Sequence, residues 1–124
     1  MDDRATLHVI HTGSIDGDHV TSSVSLIFDG DARLVVDPGM VPNRAQMVED
    51  LARLGVAPER VTHVLFTHHH PDHTLNAALF GAARVHDFWA IYEADTWTDR
   101  RVVAHPDGWP LAAAQRNQAH TRKL

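Results

Sequence analysis

The segment Thr67–His73, which reads Thr-His-His-His-Pro-Asp-His, decides the fold that we expect for this chain. An apolar, β-prone run precedes it and predicts a strand over Val61–Thr67, whereas Thr74–Phe80 after it predicts a helix. The pattern His-x-His-x-Asp-His therefore lies where a strand ends and a helix begins. Because side chains at such a junction can converge on one point, the segment predicts a metal site.

The spacing within the segment suits metal binding. Histidines at i and i+2 on extended chain point to the same side, so His68 and His70 can hold one ion. Pro71 bends the path and turns Asp72 and His73 toward a second ion. Imidazoles with a carboxylate favour Zn²⁺, with Fe or Mn as alternatives, and one or two ions are expected. Two such ions, roughly 3.5–4 Å apart, would perform metal-assisted hydrolysis.

The other histidine of the segment, His69, points the opposite way along extended chain, and we interpret it as packing or as support for a ligand. The alternative for the whole segment is a histidine-rich loop that binds metal adventitiously. The Asp-His pair, placed between a strand and a helix, argues against that alternative.

These residues resemble the metal-binding signature of the metallo-β-lactamase superfamily. The resemblance extends upstream through Asp37-Pro38-Gly39 and downstream to about Trp97, and Asp72–Ala77 is similar to the branch that includes metallo-β-lactamase domain-containing protein 1. It implies an α/β fold, the N-terminal half of an αββα sandwich, with a mixed sheet and flanking helices. We assign residues 1–99 to this half domain and residues 100–124 to a divergent tail, truncated or disordered.

The resemblance also implies roles for individual residues. His68 and His70 would bind the first metal, with His120 in Ala119-His120-Thr121 as their third ligand. Asp72 and His73 would bind the second metal, and Asp72 would be catalytic by holding the attacking hydroxide. The function implied is a zinc-dependent hydrolase that acts on an ester, thioester or related bond.

Two positions near the segment have competing interpretations. Asp37 is either a solvated residue of a Pro-Gly turn or an acceptor that holds a ligand histidine by its free ring N–H. His86 and Asp87 follow a short strand and could line the site, but we interpret them as ordinary strand-end residues.

The tail departs from the family pattern. His105 is a second candidate for the later histidine, although a Pro-Asp-Gly turn explains it as well. No residues remain for a bridging aspartate or a final histidine, so a fragment or frame-shifted product is one hypothesis. A half domain would leave the inner face of its sheet uncovered, and a homodimer or a missing C-terminal half would cover it. The alternative functions are a non-catalytic zinc-binding module and an inactive fragment.

Composition narrows the partners. The net charge is −5, the arginines are scattered and the only lysine is Lys123, so the sequence does not support nucleic-acid binding, although RNA bound through a neighbouring site stays open. A small-molecule substrate is expected instead. No cysteine is present, so thiolate ligands are excluded. With no apolar run of transmembrane length and no basic, apolar start, we predict a cytoplasmic protein without membrane contact.

The remaining elements follow from periodicity and turn signals. The loop Gly13–His19 would lie over the rim of the site. The helix Asn43–Leu54 should have Asn43 as its N-cap and a Glu49–Arg53 pair, and the helix Thr74–Phe80 should pack through Leu75, Ala78 and Leu79. The predicted strands, besides Val61–Thr67, are Thr6–His11, Ser22–Phe28, Ala32–Val36 and Ala82–His86, with a hairpin turn at Asp29-Gly30-Asp31.

Overall fold

A seven-stranded mixed sheet is the frame of residues 4–99, which the computed structural model describes. The strands are β1 (Thr6–His11), β2 (Ser14–Asp16), β3 (His19–Thr21), β4 (Val24–Asp29), β5 (Ala32–Val36), β6 (His63–Leu65), β7 (Arg84–His86), β8 (Ala90–Glu93) and β9 (Thr96–Asp99). The helices are α1 (Arg44–Arg53) and α2 (Pro71–Thr74), with 3-10 helices at Val41–Asn43, Pro58–Arg60 and Leu75–Leu79. The mixed sheet with flanking helices confirms the predicted α/β class.

The order of strands in the sheet decides where the site lies. It runs β1-β4-β5-β6-β7-β8-β9, and β5, β6 and β7 are parallel, whereas the other neighbours are antiparallel. Parallel strands bring their carboxyl ends to the same edge of a sheet. Asp37, the segment Thr67–His73 and Asp87 follow β5, β6 and β7 and therefore meet at that edge.

The loop predicted over the rim of the site is partly regular. β2 and β3 form a separate two-stranded hairpin, in which Ile15 is paired with Val20. Gly17 turns the chain at φ +58°, a conformation that favours glycine. The predicted loop therefore contains two short strands that were not predicted, joined by a turn at Gly17-Asp18.

Helix α1 lies where the apolar stripe predicts it, with Met47 and Leu51 buried, but two details of the prediction are wrong. Asn43 makes no side-chain capping bond, because it belongs to the preceding 3-10 turn with φ −94° and ψ 0° rather than an extended cap conformation. Arg53 pairs with Asp50 at 2.8 Å, one turn back at i,i+3, instead of with Glu49.

The chain after the site also differs from the prediction. Helical structure begins at Pro71, because proline suits the first position of a helix, and it changes to a 3-10 helix at Leu75. Leu75, predicted to pack, is 46% exposed, whereas Asn76 is fully buried. Asn76 therefore faces the core, where the apolar stripe predicted Leu75, and Leu75 faces outward.

Both faces of the sheet carry buried side chains. The larger core lies on the side of α1 and includes Met47, Leu51 and Phe80, each worth about 1.5–3 kcal/mol on burial. On the other face Ile27, Leu34 and Leu65 are at most 4% exposed, so the expectation of an uncovered inner face is wrong for its centre. The β1 edge of this face is open, where Leu7 is 60% and Val9 57% exposed.

No helix within residues 4–99 has the length and apolar character needed to cross a membrane. The assignment of residues 100–124 to a divergent tail, including His105 and His120, lies outside the described residues and stays a prediction.

Candidate metal centre

Four of the five predicted ligands lie together at the carboxyl edge of the parallel strands. The ring centroid of His68 is 4.5 Å from that of His70 and 4.0 Å from that of His73, and the two outer rings are 6.4 Å apart. An oxygen of Asp72 lies 3.5 Å from His73 Nε2. The fifth predicted ligand, His120, lies outside the described residues.

The cluster is assembled but is not yet a closed metal-holding group. Within residues 4–99, no three histidine, aspartate or glutamate side chains are arranged to hold an ion, despite the short distances between the rings. The chemistry of the donors nevertheless fits Zn²⁺, since three imidazoles and one carboxylate are among its preferred ligands.

Asp37 binds His73 of the cluster, as predicted by the interpretation of Asp37 as an acceptor for a ligand histidine. Its Oδ2 lies 2.8 Å from His73 Nδ1 and accepts a 2.6 Å hydrogen bond from Thr67 Oγ1. Its Oδ1 accepts a 2.8 Å bond from the Thr67 backbone N–H. A buried carboxylate with three donors is not a solvated turn residue, so that alternative is wrong.

Thr67 extends this support to a second ring, which the sequence analysis missed. Since its hydroxyl has one proton and gives it to Asp37, the oxygen accepts from His68 Nδ1, 2.9 Å away. We thus assign the N–H of both His68 and His73 to Nδ1, which leaves the Nε2 lone pair of each ring available to a metal. The signal in the sequence was a threonine directly before the first histidine.

Burial and neighbouring charges both change the pKa of His68. Burial lowers the pKa of His68, and the positive charges of protonated His73 and His70 lower it further, against the raising effect of Asp37 and Asp72. The balance favours the neutral imidazole, which is the form that binds metal ions.

His69 packs beside the cluster instead of joining it, as the predicted direction of its side chain indicates. Its Nε2 lies 3.0 Å from Asp87 Oδ2, and its ring stacks on Trp89 with centroids 5.5 Å apart. Asp87 is buried and accepts 2.8 Å bonds from the backbone N–H groups of Trp89 and Ala90. Its interpretation as an ordinary strand-end residue is therefore incomplete. Asp87 follows β7 as Asp37 follows β5, and that repetition was the missed signal.

An open cleft of about 510 Å³ lies between the β2–β3 hairpin and the cluster, with Asp72 and His73 in its wall. A larger cleft of about 690 Å³ lies at the opposite edge of the sheet, lined by Arg33, Arg60 and His63 among others, and includes none of the predicted ligands. Of these two clefts, the smaller one reaches the ligand cluster.

Comparison with known proteins agrees with this geometry. The family model described as the metallo-beta-lactamase superfamily matches residues 17–110. This chain belongs to the metallo-β-lactamase superfamily. Metallo-beta-lactamase domain-containing protein 1 of Xenopus laevis is 34% identical over 105 residues, and the mouse (Mus musculus) protein with the same name is 47% identical over 58 residues.

Solved structures are also similar to this chain, and each match covers only part of the relative. The crystal structure of a metallo-beta-lactamase-like protein from Thermotoga maritima is similar with a TM-score of 0.57 and 31% identity, over 65% of this chain and 42% of that one. The Xenopus match covers 81% of this chain and 42% of the relative, and the mouse match covers 44% and 22%. The chain thus spans less than half the length of these relatives. The predicted resemblance and fold class are confirmed.

Proposed function

We propose that this chain provides the first ligands of a metal-dependent hydrolase site. Superfamily membership supports a metallohydrolase-like function and the binding of divalent metal ions. The observation that carries the proposal is the hydrogen-bonded path through Thr67 and Asp37, which fixes Nδ1 of His68 and His73 and presents both Nε2 atoms. A histidine-rich surface loop that binds metal adventitiously would not need a buried carboxylate hydrogen-bonded to its histidines.

Each side chain then has a defined task. His68 and His70 would hold a first ion, and Asp72 and His73 a second, with zinc as the metal and iron or manganese as alternatives. When bound, zinc lowers the pKa of water toward neutrality and polarises a substrate carbonyl. The last ligands would come from His120 or from residues of a partner, whether a second copy or a C-terminal half.

Asp72 is the proposed catalytic residue. Its carboxylate lies in the wall of the cleft and within 3.5 Å of His73 Nε2, so it reaches both a ligand and the substrate space. As an acceptor, it can hold the proton of an attacking water and orient the water's lone pair toward the substrate.

The hairpin favours an apolar acyl substrate. Ile15 and Val20 line the cleft and are 81% and 43% exposed, and paired residues of a hairpin share one face. A small carboxylic ester or thioester would place its hydrocarbon part against these side chains and its carbonyl near Asp72. This substrate class and a cytoplasmic location stay predictions, as does the bond cleaved.

Metal content and turnover together test the proposal. The 124-residue chain is loaded with zinc, dialysed and analysed for metal, then assayed with short acyl esters and thioesters beside Asp72→Ala and Asp50→Ala. Hydrolysis that Asp72→Ala abolishes and Asp50→Ala keeps supports the proposal. Bound zinc without turnover would instead support the non-catalytic module, and no retained zinc would refute the metal site.

A further inference from the structure

We propose that Asn76 is a positioning residue, which holds the Asp37 loop (residues 37–40) in the place where Asp37 meets His73. The inference rests on the proposed function only in that His73 is taken to be a metal ligand. Asn76 lies on the 3-10 helix after α2, three residues beyond His73, and is fully buried. Its side-chain hydrogen bonds go to Pro38, Met40 and Arg44 and not to a proposed ligand, so we infer that its effect passes through the loop.

Every polar atom of the Asn76 side chain is used, and each partner belongs to the loop or to α1. Nδ2 donates to the carbonyls of Pro38 at 3.3 Å and Met40 at 2.5 Å. Oδ1 accepts a 3.1 Å bond from Arg44 Nε, at the start of α1. A single side chain therefore links the loop to the helix that follows it.

Backbone bonds add to the same connection. The Asn76 N–H donates to Gly39 O at 3.0 Å, and the Gly39 N–H donates to His73 O at 3.3 Å. The loop and the chain after the ligands thus hold each other at several points between Pro38 and Met40. Displacement of the loop would change the position of Asp37 relative to His73.

The loop needs such support because its conformation is unfavourable. Asp37 has φ +51° and Gly39 has φ +89°, both in the left-handed region. A non-glycine residue persists there only where surrounding contacts over-determine it. Without the Asn76 bonds, the left-handed Asp37 can relax, and the 2.8 Å contact between Asp37 Oδ2 and His73 Nδ1 lengthens. The tautomer of His73 is then no longer fixed with its proton on Nδ1.

A purely structural Asn76 would lower stability and leave His73 unchanged, and the tautomer separates these outcomes. Asn76→Asp keeps the volume and the acceptor for Arg44 but directs a carboxylate oxygen at two carbonyls. The full metal-free chain is studied by ¹H–¹⁵N NMR of its histidine rings at about pH 8, where neutral tautomers are resolved. Thr62→Val is the matched control, since it removes a hydroxyl that bonds the Arg33 backbone N–H at 2.8 Å, at the far edge of the sheet.

We expect His73 to be at least 90% Nδ1-protonated in the wild-type chain and in Thr62→Val. In Asn76→Asp the fraction of the Nε2-protonated tautomer should rise at least threefold, and zinc affinity should fall about 10-fold. An unchanged His73 spectrum in the folded variant would overturn the proposal.

If Asn76→Asp does not fold, Arg44→Met decides the matter. It removes only the donor to Asn76 Oδ1, so a smaller shift of His73 in the same direction supports the proposal and an unchanged spectrum overturns it. A wild-type chain that binds no zinc would refute the proposed metal site, whereas the His73 spectrum would still decide the role of Asn76.

Discussion

Changing Asp37 to Asn should weaken metal binding without removing the fold. The amide matches the carboxylate in size, and asparagine tolerates the left-handed φ of +51°. It replaces one acceptor oxygen by a donor, however, while Thr67 N–H, Thr67 Oγ1 and His73 Nδ1 all face this side chain. If the amide N–H faces His73, the ring must move its proton to Nε2, where it blocks the metal. If the amide flips, the conflict moves to the Thr67 N–H.

The size of the effect follows from that conflict. Keeping the metal-binding tautomer leaves one buried donor unsatisfied, which costs about 1–3 kcal/mol. At about 1.4 kcal/mol per factor of ten, zinc affinity should fall roughly 5- to 150-fold, in line with the 10- to 100-fold typical of such supporting residues. Competition with a chromophoric chelator at pH 7.5 measures this affinity.

Asp50→Asn makes the same chemical change on α1, where Asp50 bonds Gln46 and Arg53 away from the site. Its zinc affinity should equal that of the wild-type chain. If Asp37→Asn folds and binds zinc within twofold of Asp50→Asn, the assignment of Asp37 as the support of His73 is refuted.

Three further predictions concern stability and protonation. Burial is the chief cause that lowers the pKa of His68 in the folded chain. Near the ordinary pKa of 6.5, this histidine therefore binds fewer protons in the folded chain than in the unfolded chain. As the pH drops through 6.5, the contribution of His68 to the free energy of unfolding falls. NMR titration of the metal-free chain should show this ring titrating below that value. Asp87→Ala removes the acceptor of the buried Ala90 N–H and of the part-buried Trp89 N–H, and should cost about 1–3 kcal/mol in urea unfolding, with exposed Asp95→Ala near zero. Gly39→Ala places a methyl group 3.3 Å from Val24 Cγ2 at φ +89°, and should cost about 1–3 kcal/mol, whereas Gly81→Ala meets open space and should cost little.

The fold could be predicted wherever local signals and burial agree. The strand Thr6–His11, the β4–β5 hairpin and the apolar stripe of α1 were all read correctly, because alternation and turn chemistry act within a few residues. The order of strands in the sheet was not predicted, since pairing partners lie far apart in the chain. The prediction of Asn43 as an N-cap was wrong for a local reason, because a 3-10 turn that the residue pattern did not predict comes directly before the helix.

The sequence predicted which side chains cluster at the site, but not the hydrogen bonds that hold them, and the role of these side chains as metal ligands stays a prediction. His68, His70, Asp72 and His73 could be named because metal ligands are recognised by type and spacing. The bonds of Thr67 and Asp87 depend on which strands are neighbours, and a sequence carries that information only indirectly. Asp37 was an open choice for the same reason, because its partner is 36 residues away along the chain.

Asn76 shows why the apolar pattern misled at the most consequential place. A helical stripe assigns inward positions to the most apolar residues, and so it assigned Leu75 to the core and passed over its polar neighbour. The loop after β5, however, presents the carbonyls of Pro38 and Met40 to this position, and a buried aliphatic side chain would remove the hydrogen bonds that Asn76 donates to them. An amide in the inward position satisfies them, and the leucine turns outward as a consequence. Where a buried loop presents its carbonyls, the residue that packs on it must therefore supply hydrogen-bond donors, and hydrophobic periodicity does not predict which residue that is.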